Sequence, residues 1–171
     1  MKKTKRLTLS ALFSAVSTAL LALASLTEIA DLAISMLASA VLVLAIIELS
    51  EKWGFMIYAV TSTLSLILLP SKFIAAVYLV FTGLYPLIKR RFDRFPTAIA
   101  WLFKALYFNA SLTSALLIAR FVFAIDTYAG WMLVLYFATA NLTFVLFDFT
   151  IKRLTLVYLV RYRKRFSKFF K

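Results

Sequence analysis

The run from Gly54 to Ile88 is apolar almost throughout, yet Leu69-Pro70-Ser71-Lys72 interrupts it and Lys89-Arg90-Arg91 follows it. As one α-helix it would extend roughly 50 Å, against a hydrocarbon core of about 30 Å. A single straight crossing is excluded. Proline lacks an amide hydrogen and disfavours helix in the residue before it, so the interruption reads as a turn between two helices.

The same arithmetic predicts six hydrophobic segments, at about 7–26, 32–49, 54–70, 73–89, 97–123 and 130–150, and then a basic tail over 151–171. Hydrophobic residues make up 64% of the 171, too many for a water-soluble domain of this size to bury. The expected fold is an all-α integral membrane protein: one six-transmembrane-helix bundle spanning 1–171, with a basic cytoplasmic amphipathic extension. The first segment begins basic, as a cleavable signal does, but its length and the lack of a clear small-x-small cleavage site read as a retained helix.

Charge orients the bundle. Lys2, Lys3, Lys5 and Arg6 precede the first segment, Lys89, Arg90, Arg91 and Arg94 separate the fourth from the fifth, and Lys152, Arg153, Arg161, Arg163, Lys164, Arg165, Lys168 and Lys171 follow the sixth. The opposite connections contain Lys72 as their one cation. Cytoplasmic loops are enriched in Lys and Arg, so both termini are expected in the cytoplasm, with the protein in the cell membrane. The tail alternates basic with apolar or aromatic residues and reads as an extension along the anionic inner leaflet. Membrane lipid therefore accounts for the net charge of +13, and no nucleic-acid partner is expected.

His and Cys are absent and the three glycines, Gly54, Gly83 and Gly130, are isolated, so zinc, haem, thiol and phosphate-loop chemistries have no residues to work with. Carboxylates occur without a defined pair and serines without a histidine base. Neither an enzyme nor a cofactor or metal site is expected; ATP, if used, would be bound by a partner.

Ionisable groups within membrane segments are costly and usually face protein or water. Toward the external side lie Glu28, Asp31, Lys72, Arg120 and Asp126, with Tyr78, Asn109, Tyr128, Trp131 and Tyr136 within reach of the same region. The set reads either as interfacial anchors or as a ligand pocket with cations, acids and an aromatic floor. Its candidate substrate-binding residues are Glu28, Asp31, Lys72, Tyr78, Asn109, Arg120 and Trp131. Toward the cytoplasmic side lie Glu48, Glu51, Lys104 and Asp148, with Lys104 and Asp148 read as a structural ion pair or headgroup contact. Asn141 lies deeper and reads as a bond between helices.

The first segment repeats Ser10, Ala11, Ser14, Ala15, Thr18, Ala19 and Ala22 at three- and four-residue spacing. Small stripes let backbones approach closely where lipid removes the hydrophobic drive, so this one either packs internally or docks a partner through Ala11, Ala15 and Ala19.

With its length, basic start, six segments and the first-segment motif ALFSA, the chain resembles the S components, or substrate-binding subunits, of energy-coupling factor transporters. Ala11 and Ala15 match that family's small-xxx-small element. LLPSKFIAAVYLVFTGLYPLIK is also similar to segments of clostridial-type membrane proteins distantly related to those components. The resemblance implies capture of a vitamin, its precursor or a metal ion from outside, and docking on a transmembrane coupling subunit driven by two cytoplasmic ATPases. The metal-binding branch is not expected, because its histidine-bearing amino terminus has no counterpart here. A small organic ligand carried by an importer subunit is the leading expectation; a noncatalytic scaffold of a cell-envelope or morphogenesis complex is the alternative.

Overall fold

The computed structural model describes residues 3–27, 31–121 and 130–162. Lys2, Glu28, Asp126, Tyr128 and the tail cations Arg163, Lys164, Arg165, Lys168 and Lys171 lie outside those residues, as does the side chain of Asp31. The described residues form helical rods α1 (Lys3–Leu26), α2 (Asp31–Glu48), α3 (Glu51–Leu68), α4 (Lys72–Phe92), α5 (Thr97–Phe121) and α6 (Trp131–Val157), with no strand among them. The apolar run of the opening analysis is broken where proline requires: α3 stops at Leu68 and α4 starts at Lys72.

Among the described residues, four helices are long and apolar enough to cross a membrane: α1, α4, α5 over Thr97–Ile118, and α6 continued to Arg161. Apolar α2 is a helix of 18 residues, Asp31–Glu48, with side chains described from Ala33 on. The 18 residues of α3 open on Glu51 and Lys52 and include Thr61, Ser62, Thr63 and Ser65, which dilute its hydropathy. Outward-facing Leu12, Ile67, Leu102, Val134 and Leu146 are each more than half exposed. A water-facing surface rarely carries so much apolar area, whereas hydrocarbon covers it without penalty.

Successive helices run antiparallel. Four residues link α1 to α2, a reach of about 14 Å at full extension, against roughly 36 Å for the length of α1. Arg90 at the end of α4 pairs with Glu51 at the start of α3 at 3.0 Å, and at the opposite end Lys72 Nζ donates to the Leu66 carbonyl at 2.9 Å. One end of the bundle thus collects Lys3, Lys5, Arg6, Lys89, Arg90, Arg91, Lys152 and Arg153. We call it the basic end, and the other the Lys72 end.

Two cores meet on α2 and α4. Leu21, Leu42, Ile57, Leu69 and Tyr78 join the first four helices, while Val43, Phe81, Tyr85, Phe108, Phe144 and Phe147 join α2 and α4 to α5 and α6. The first core is laced with hydroxyls. On α1, Ser10, Ser14, Ser17 and Thr18 are buried, whereas Ala11, Ala15 and Ala19, one residue further round the helix, are exposed.

At the junction of the cores α4 widens into a π-helical turn over Tyr78–Thr82, closed by a bond from the Gly83 amide to the Tyr78 carbonyl at 2.9 Å. Tyrosines from both neighbours clasp it: Tyr58 of α3 donates to the Leu79 carbonyl at 2.7 Å and Tyr107 of α5 to the Val80 carbonyl at 2.8 Å. Gly83 makes the approach of α3 possible, because a Cβ there would lie 2.8 Å from the Tyr78 ring and 2.9 Å from that of Tyr58.

Candidate functional site

Two constructed polar or aromatic centres occupy the α4–α5–α6 half of the bundle. The first is a cavity of about 110 Å³ bounded by α2, α4, α5 and α6, between mid-bundle and the Lys72 end. Its aromatic wall comes from the second core. Phe108 and Phe144 stack with centroids 4.5 Å apart and 7° between planes, and Phe81 meets Phe108 edge-on at 4.9 Å. Such offset and edge contacts fix ring positions beyond what area burial alone does. The π turn supplies Phe81 and Thr82 to the wall, and α6 supplies Tyr136, Thr139 and Thr143.

The cavity's chemistry is set by what its walls hold. None of the lining residues is Asp, Glu, Lys or Arg. Several hydroxyls are already engaged: Thr82 with Ser35 at 2.9 Å, and Thr139 and Thr143 with backbone carbonyls one turn back, each at 2.9 Å. An ionised ligand would enter without a counter-charge and bear its full desolvation cost. The arrangement accepts an uncharged, mostly apolar molecule; for scale, a dry cavity of about 150 Å³ binds benzene.

The second centre lies at the basic end. Asp148 of α6, on the α4 and α5 side, accepts from Tyr85 and Lys89 through one carboxylate oxygen and from Lys104 at 3.3 Å through the other. Asp93, just past α4, bridges the same two lysines at 3.5 and 2.5 Å. Lys89, Lys104 and Asp148 are buried, while the Asp93 side chain is 45% exposed. Two cations and two anions cancel, and each buried charge has hydrogen-bonded partners, the condition under which burial is tolerated. The cluster therefore staples α4, α5 and α6. The expected Lys104–Asp148 pair is present, and Lys89, Tyr85 and Asp93 extend it.

The described candidate residues of the external set make their contacts in separate places. Lys72 caps the carbonyls that end α3. Tyr78 is fully buried in the first core, its ring 6.3 Å from Tyr58. Asn109 forms a reciprocal amide pair with Asn141, 3.0 Å each way, and both amide nitrogens also donate to carbonyls four residues back, at 2.9 and 2.8 Å. Both hydrogens of each amide are thereby used, so the pair bonds α5 to α6. Arg120 and Trp131 are exposed, Arg120 lying over the adjacent Phe121 ring at 5.8 Å. Of the wider aromatic set, Tyr136 lines the cavity. The phenylalanines that build it carried no polar signal in the sequence.

No protein-family model matches the chain, and no curated protein or solved structure is detectably similar to it.

Proposed function

We propose that the chain is a substrate-binding membrane subunit of a multi-component importer. All six helices cross the cell membrane, the basic end with both termini faces the cytoplasm, and a small organic molecule enters from the external side. The cavity's position toward the Lys72 end and its uncharged aromatic wall support an uncharged ligand of about one ring. ATP would be hydrolysed by two partner ATPases beneath a transmembrane coupling subunit.

The observation that carries this reading is the division of α1. Its hydroxyls pack into the bundle, while Ala11, Ala15 and Ala19 are exposed on the outward side, where small side chains would let a partner helix approach closely. Internal packing leaves that alanine face unused. The test is affinity purification from native membranes in mild detergent, comparing wild type with Ala11→Leu/Ala15→Leu. The wild type should bring down a coupling subunit with paired ATPases, and the variant should lose them at least tenfold while keeping its own thermal stability. Recovery of envelope-synthesis proteins instead would put the scaffold reading first.

A further inference from the structure

A second and larger cavity opens at the basic end, about 470 Å³ between α2, α4 and α6. Its apolar lining includes Val43, Pro86 and Ile151 on the hydrocarbon side, with Ile47 and Leu159 nearer the cytoplasm, and its charged lining is Lys89, Arg90, Asp93 and Lys152. Three cations against one anion leave it net positive. Lys89 and Asp93 belong to the neutral cluster around Asp148, so the charges left to attract a ligand are Arg90 and Lys152. The Arg90 side chain is 67% exposed and shares a half-exposed Glu51, an arrangement that holds it weakly. Lys152 is exposed and makes no ion pair among the described residues.

Depth matches this division of charge and grease. Twenty residues of helix span about 30 Å, so α6, counted from Trp131, leaves the hydrocarbon near Thr150. Ile151 and Val43 then lie at the hydrocarbon boundary, with Arg90 and Lys152 at headgroup level. A soluble anion would find the cations but waste the apolar floor, whereas an acyl chain alone would leave the cations unmatched. We propose that this cleft is a binding site for one anionic phospholipid, its phosphate between Arg90 and Lys152 and an acyl chain entering along Val43, Pro86 and Ile151. Basic clefts between helices at the cytoplasmic face recognise anionic headgroups by this combination. The site does not depend on the importer reading.

Delipidated full-length protein titrated with phosphatidylglycerol or phosphatidylcholine of identical chains, read by native mass spectrometry, tests it. Wild type should retain phosphatidylglycerol at least tenfold better. Arg90→Ala/Lys152→Ala should abolish the preference, and Val43→Trp, which fills the floor at the hydrocarbon boundary and keeps both cations, should weaken retention of phosphatidylglycerol. Arg91→Ala/Arg94→Ala, which removes neighbouring cations outside the cleft lining, should leave it intact. Equal retention of the two lipids, or an unchanged preference in Arg90→Ala/Lys152→Ala, would overturn the proposal. So would displacement of bound lipid by millimolar inorganic phosphate, which would mark a phosphate site without use for the chain.

Discussion

Asp148→Ala is expected to be among the most destabilising single substitutions in the protein, at about 3–5 kcal/mol, because it strips buried Lys89, Lys104 and Tyr85 of their shared acceptor. Both lysines would then depend on Asp93 alone, whose side chain is 45% exposed and whose pairing water competes for. Asp93→Ala, by contrast, leaves Asp148 in place between the lysines and should cost nearer 1 kcal/mol. Thermal unfolding of the two variants in one detergent compares them directly. Equal losses would mean that the cluster is held from its wet side, and that Asp148 is not its centre.

Gly83→Ala is the second large effect, at about 1–3 kcal/mol, the usual cost of overpacking. The added methyl would meet the Tyr78 and Tyr58 rings at 2.8 and 2.9 Å, and both rings are buried, so neither swings aside freely. Displacing Tyr58 also breaks its bond to the Leu79 carbonyl, worth about 1 kcal/mol. The two defects should couple: Tyr58→Phe ought to cost less in the Gly83→Ala background than in wild type. Strict additivity in a double-mutant cycle would show that the tyrosine clasp and the glycine act separately.

Much of the architecture was legible because its physics is local. Pro70 marks the α3–α4 turn through its missing amide hydrogen, and the length of each apolar run sets the helices on either side. Composition departs from that reading at α3, a helix of 18 residues that is less apolar than α1, α4, α5 and α6. In α3 the shortfall comes from Glu51 and Lys52 at its start and from hydroxyls such as Thr61, Ser62 and Ser65, the last three buried against neighbouring helices.

The site was less legible because it depends on which residues distant segments bring together. Lys89 stands beside Arg90 and Arg91 and reads as one more interfacial cation, yet it is buried against Asp148, 59 positions away. Tyr85 carries no charge to announce the same partner. On α1, serines and alanines counted as one small stripe, although a step of one residue turns a helix by about 100° and separates the inward face from the outward. The π turn left only Gly83 as a trace. Phe81, Phe108 and Phe144 were indistinguishable from ordinary core residues until α4, α5 and α6 stacked them around a cavity.

The outward alanine face is where the functional account stands most exposed to contradiction. The chain contains no cysteine, so a thiol-directed photoactivatable benzophenone labels it at one introduced cysteine and nowhere else along the chain. Illumination of native membranes carrying Ala15→Cys should yield an adduct with a transmembrane coupling subunit, while Ser14→Cys, on the buried face, should yield none. Adducts of equal yield from both positions, or no coupling-subunit adduct from Ala15→Cys, would contradict docking through this face.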